Sequence, residues 1–288
     1  MSGEAHTTRD ELSARRGSHL FGRMRPSGVL VATLSTIIVF GVIGFVVVNA
    51  PGFARVQEAF FNAEQFQRSI PLLAQSLWVN IQLFLIAEVA ILAFALLLAV
   101  MRSLPGPVFF PFRLMAISYV ELFRAIPGIL VLFLLGFGVP GLRLEGVVSD
   151  AFFWGLVALV LVWSAYVAEV YRAGIEGVHP SQEAAARSLG LSRLQGLRYV
   201  VLPQAVRRVI PPLLNDFIGL QKDTALVAFI GVVDIFSRTR IISGAAFNFT
   251  PYVACAVFFL LLTIPMSRLV DYFATRERQR KLAGVGAR

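Results

Sequence analysis

Apolar runs long enough to cross a bilayer recur along this chain, separated by short polar stretches. A hydrocarbon core of about 30 Å calls for roughly 20 helical residues, and Ser27–Val48 supplies that length without a charge. Ser76–Met101 is interrupted only by Glu88. Phe112–Phe137 carries Glu121, Arg124 and Pro127 in its first half, and Phe152–Val170 ends beside Glu169. Val209–Val233 is the least lipid-like run, with Pro211, Pro212, Asn215, Asp216, Lys222 and Asp223. Tyr252–Val270 closes the series. The pattern predicts an all-α, polytopic membrane protein with about six transmembrane helices.

Composition agrees: 57% of the 288 residues are apolar and 15% are charged, with a mean hydropathy of +0.74, too little charge to cover a soluble domain. The net charge of +9 does not imply nucleic acid, because the basic residues lie between apolar runs and mark topology. With the N-terminus inside, the cytoplasmic segments hold Arg9, Arg15, Arg16, Arg23 and Arg25, then Arg102 and Arg113. They also hold Arg172 to Arg208 after the fourth span, and the tail from Arg268 to Arg288. The other side shows only Arg55, Arg68, Arg143, Arg238 and Arg240. Both termini are therefore expected in the cytoplasm. The first run exceeds the roughly 7–15 apolar residues of a signal peptide, so an uncleaved helix over 27–48 is expected rather than cleavage after Ala50. Residues 1–26 mix charges with Gly, Ser and Thr and read as disordered. The basic tail 273–288 reads as a short extension suited to anionic headgroups.

Some chemistry is excluded. Cys255 is the only cysteine, so no disulfide forms within the chain, and His6, His19 and His179 are too scattered for a metal site. The two lysines, Lys222 and Lys281, follow Gln221 and Arg280, so no Gly-Lys phosphate loop exists. No Ser/His/Asp set falls in the spans, and neither cofactor nor catalytic residue is expected.

One polar connection, 172–208, is too long and too patterned for a simple link. Pro180 and Ser181 suit a helix start, alanines propagate it, and Gly190 suits its end. Ser192 suits the cap of a second helix with Leu194, Leu197 and Val201 on one face, ended by Pro203. This amphipathic pair must bury its apolar faces, against the membrane domain, the headgroup layer or a soluble partner.

The connection also resembles the EAA signature of ABC-importer permeases: a Glu-Ala-Ala triplet, then Gly190, then Val200-Val201-Leu202-Pro203. Ala165-Tyr-Val-Ala-Glu169, Arg172-Ala-Gly-Ile175, Leu202-Pro-Gln-Ala-Val-Arg207 and Pro211-Pro-Leu-Leu-Asn215 are similar to the histidine/glutamine/glutamate branch of that superfamily. So are Lys222-Asp-Thr-Ala-Leu226 and Glu121-Leu-Phe-Arg124-Ala-Ile-Pro127. The likeness covers about 70–272, with the first span as an addition. Two positions depart from it. Aligned on Gly190, the triplet glutamate falls on Ala184 with Glu183 one place early, and Ala225 stands where serine is usual.

The resemblance implies a type I importer permease fold in a prokaryotic plasma membrane. Its implied partners are a second permease subunit, cytoplasmic ABC ATPase subunits and an extracytoplasmic amino-acid-binding protein, with lipid around it. It implies transport of a polar amino acid, with ATP hydrolysis left to the partner chain. On this reading Glu183, Ala184, Ala185, Ala186, Gly190, Pro203 and Gln204 form the ATPase-coupling segment. Asn215, Asp216, Lys222, Asp223 and Thr224 belong either to the substrate path or to structural contacts that neutralise buried charge. Another small polar solute, a channel or a non-transporting scaffold are the alternatives.

Overall fold

The computed structural model describes residues 26–285. The chain divides into two compact units, 1–58 and 59–288. In the first, α1 (Pro26–Val48) is apolar on every side and exposed from Leu30 onward, as a lipid-embedded helix must be. α2 (Phe53–Phe60) follows after a turn. Residues 1–25, which the sequence reads as a disordered terminus, lie outside the described part.

The second unit is helical, and no strand occurs among the described residues. Asn62 caps α3 (Ala63–Ser103) by accepting from Gln65 N at 3.0 Å. At about 1.5 Å per residue its 41 residues reach about 61 Å, twice a bilayer core. α4 (Phe110–Ala125) and α5 (Gly128–Phe133) follow, the latter prolonged by a π turn (Leu134–Gly138) and a last turn to Gly141. Asp150 caps α6 (Ala151–Glu176) through Phe153 N, and α6 packs centrally against α3, α4 and α5. After the polar connection come α9 (Leu202–Asp223), a 3-10 segment (Thr224–Ile230), α10 (Ile235–Ala246) and α11 (Thr250–Val285).

Two expectations need correction. The third run is not one straight span: α4 and the helix from Gly128 meet at 101°. Pro127 is the cause, since it lacks an N–H and biases Ile126 (ψ 132°) out of helix. The fifth run, expected over 209–233, ends earlier as an α-helix. Its backbone tightens to 3-10 from Thr224 and turns at Gly231, whose φ of 95° suits glycine. Pro211 and Pro212 do not break α9; they cost only the bonds from their missing N–H groups to the carbonyls of Arg207 and Arg208. Among the described residues, four continuous helical stretches are long and apolar enough to span, and the bent pair makes five. α9, with Arg207, Arg208, Asp216 and Lys222, is too polar to qualify on composition.

Close packing fixes the bent elements. A side chain on Gly136 would meet Ile230 at 2.7 Å, and one on Gly155 would meet Val227 at 3.0 Å. The 3-10 segment is thereby wedged between α5's π turn and α6. Trp163 lies on Gly219 in the same way, so it packs inside the bundle rather than in an interfacial belt.

Candidate functional site

The two backbone breaks converge. Gly128 and Leu132 just after the first break, Ala158, Leu159, Val162 and Trp163 of α6, and Asp223 and Leu226 at the second break line one cavity of about 20 Å³, room for a single water. Irregular backbone at membrane depth persists only where protein buries it or where it lines a cavity, and transporters place solute sites at such discontinuities.

The charged residues of α9 reach this junction as two stripes. Asn215 and Lys222, seven residues apart, share an exposed face, while Asp216 and Asp223, also seven apart, are half-buried beside it. Asp216 Oδ2 is buried without a hydrogen-bond partner, and Asp223 lines the cavity. No ion pair among the described residues joins Lys222 to Asp223 directly. Adjacent helical residues point to different faces.

Thr224 differs from its neighbours. It is wholly buried, donating to Gln221 O at 2.8 Å and accepting from Asn80 Nδ2 at 3.3 Å. Asn80 also donates to Asp234 Oδ2 at 2.9 Å and accepts from Ile235 N at 3.1 Å. Asp234 in turn caps α10 by accepting from Ser237 N at 2.8 Å. This buried cluster ties α3, the 3-10 segment and α10 together at the second break. Asn80 carries the cluster, yet in sequence it is one polar residue in an apolar run, with no signal that sets it apart.

Arg124 lies in the last turn of α4, with its guanidinium over the Tyr166 ring at 5.8 Å. The basic end of the bundle is held by a different set: Arg102 of α3 pairs with Glu169 of α6 at 2.9 Å, and Arg172 joins Glu169 to Glu176.

Directly beyond Glu176 stands the patterned connection. His179 caps α7 (Pro180–Ser188), its Nδ1 accepting from Ser181 N at 3.2 Å. Gly190, at φ 81°, ends α7 as Leu191 N donates back to Ala186 O at 3.1 Å, a Schellman-type closure. Ser192 and Gln195 form a capping box, Gln195 N donating to Ser192 Oγ at 3.3 Å and Ser192 N to Gln195 Oε1 at 2.9 Å. This starts α8 (Arg193–Gly196).

The second helix does not end at Pro203. A π turn (Leu197–Val201), closed by Leu202 N donating to Leu197 O, carries it into α9 without a break. The wider turn shifts the carbonyls that a proline ring would otherwise strike. It also rotates the expected apolar face, leaving Leu197 exposed.

The coupling candidates separate on this hairpin. Ala184 and Ala185 are exposed, Ala186 is buried against Gly196, and Glu183 is held by Arg187 at 2.7 Å. Gln204 Nε2 donates to Val200 O at 3.0 Å across the π turn. Leu189, absent from the sequence-based set, is 82% exposed at the tip. Its place just before the left-handed Gly190 was the available signal.

Comparison with known proteins agrees with this architecture. Residues 108–279 match the family of binding-protein-dependent transport system inner membrane components. The chain is 40% identical over 181 residues to the probable glutamine ABC transporter permease protein GlnM of Bacillus subtilis (strain 168), covering 62% of this chain and 80% of that one. It is 34% identical over 207 residues to the glutamate transport system permease protein GluC of Corynebacterium glutamicum, covering 68% and 90%. A solved structure of an amino acid ABC transporter with histidines superposes with a TM-score of 0.67 at 34% identity, covering 73% of this chain and 95% of that one. An inward-facing MetNI methionine ABC transporter, at 19% identity and a TM-score of 0.56, shares the fold. The chain belongs to the binding-protein-dependent transport system inner membrane component family, as an amino-acid ABC transporter permease of the type I importer class.

Proposed function

We propose that this subunit forms half of the translocation path for a polar amino acid, pairing with an identical or homologous permease. Cytoplasmic ABC ATPases would drive it, and an extracytoplasmic binding protein would supply it. One observation carries the reading: Asn215 and Lys222 are exposed on a helix that runs between membrane spans. Facing lipid there costs about 2.5–3.5 kcal/mol for a charge, so this stripe meets water or another subunit instead. Lys222 suits a solute carboxylate, and Asp216 and Asp223 suit its ammonium. Thr224 holds the backbone that presents them.

With both termini in the cytoplasm, the α7 hairpin faces the ATPase. Ala184 and Ala185 let the helix enter a groove closely, Leu189 adds an apolar tip, and Gly190 reverses the chain. Pro203 and Gln204 stiffen the return. Because the helix from Arg193 to Asp223 has no interruption, a push on the hairpin would pass directly to the charged stripe. ATP-driven closure then changes which side the stripe faces.

The reading is tested on the complex reconstituted in vesicles. Lys222→Ala should lose most amino-acid uptake while the ATPase still co-purifies. Deletion of 181–203 should lose the ATPase itself. Undiminished uptake in Lys222→Ala would remove the substrate-path assignment, and retained ATPase after the deletion would remove the coupling assignment.

A further inference from the structure

A second cavity, of about 200 Å³, borders the buried Asn80 cluster. Leu77, Ile81, Phe84 and Leu85 of α3 and Leu262 and Met266 of α11 form its walls, and Asn80, Gln221 and Thr224 form its floor. An apolar cavity of about 150 Å³ already takes up benzene. Most of the polar atoms of the floor are already bonded. The Asn80 and Thr224 side chains are bonded to each other, to Asp234 and to backbone. Gln221 Oε1 accepts from Thr263 at 3.1 Å. A buried water needs two to four polar partners, and an empty space forfeits dispersion contacts along its whole lining.

What reaches the cavity follows from the surrounding surface. No charged side chain is exposed on α3 from Leu77 to Val89 or on α11 from Tyr252 to Pro265. Around the cavity these helices expose Leu85, Ile86, Val89, Leu260, Leu261 and Ile264. The exposed charges Glu121, Arg124 and Lys222 belong to α4 and α9, and on this stretch of α3 Gln82 is an exposed polar residue. The α3–α11 face is the one suited to lipid.

We propose that this cavity is a binding site for a phospholipid acyl chain, seated between α3 and α11 against the second backbone break. The chain end fills the space behind Thr224 and supports the 3-10 turn from the lipid side. It is thus a structural lipid, distinct from the solute path in front of Asp223.

The full-length protein in phosphatidylethanolamine/phosphatidylglycerol vesicles, doped with phosphatidylcholine carrying a mid-chain diazirine, tests this on irradiation. Peptide mapping should find adducts concentrated on Ile81, Leu262 and Met266. The second arm is Leu262→Trp, which fills the cavity. Adducts on Ile81 and Met266 should be lost while those on the outward Val89 persist. Labelling confined to Val89, Leu261 and other outward residues, or an adduct pattern unchanged by Leu262→Trp, would overturn the site.

Discussion

The hairpin at 177–201 and the second backbone break at 221–235 are both short, irregular and packed around small residues, but they are built on different principles. The hairpin is assembled from neighbours in sequence. His179 caps with Ser181, Ser192 with Gln195, and Gly190 closes α7 onto Ala186. The break is assembled from distant elements. Asn80 reaches Asp234 across 154 positions, and Gly136 and Gly155 make room for Ile230 and Val227. The exposed hairpin is held by local bonds, whereas the buried break, with no water to satisfy stray groups, is held by the whole bundle.

This contrast can be broken from either end. The largest effect is expected at the break: Gly136→Leu has no space beside Ile230. Overpacking of this kind costs about 1–3 kcal/mol, so uptake should fall to background and the melting temperature should drop. Next, Asn80→Ala strands Ile235 N and takes one hydrogen bond each from Asp234 and Thr224. An unsatisfied buried partner costs about 1–3 kcal/mol, so a lower melting temperature and slower transport should appear, with ATPase binding intact.

On the hairpin, Gly190→Val forces a branched residue into left-handed backbone, at a cost of about 1–2 kcal/mol. Weaker ATPase co-purification should result, with the melting temperature little changed. The mildest change, Ser192→Ala, removes one cap worth about 1 kcal/mol and should lower coupled ATP hydrolysis only slightly. A large loss of melting temperature from either hairpin variant would show that the hairpin also depends on the bundle.

The same difference decides what the sequence discloses. The hairpin's start at Pro180, the reversal at Gly190 and the cap at Ser192 are legible because caps and left-handed glycines act within a few residues. The α-helical core is legible because apolar runs report the bilayer. The 3-10 turn after Asp223 is not, since side chains from other helices stabilise it, and the 101° bend has its signal in Pro127 but is hidden inside one long apolar run. Pro203 misleads for a related reason: a proline stops a regular helix, but a π turn just ahead of it removes the clash. At the site, Lys222 and Asp223 stand out as charges in a span, whereas Asn80, Trp163 and Leu132 acquire their places only when α3, α5 and α6 pack together.

The most direct test concerns which side of the membrane the hairpin occupies. Leu189→Cys, in the chain expressed without its ATPase, offers an exposed thiol, while native Cys255 is buried. A membrane-impermeant maleimide should leave Cys at this position unlabelled in intact cells and label it once the membrane is permeabilised. Labelling in intact cells would put the hairpin outside, beyond reach of any cytoplasmic ATPase, and would contradict the account.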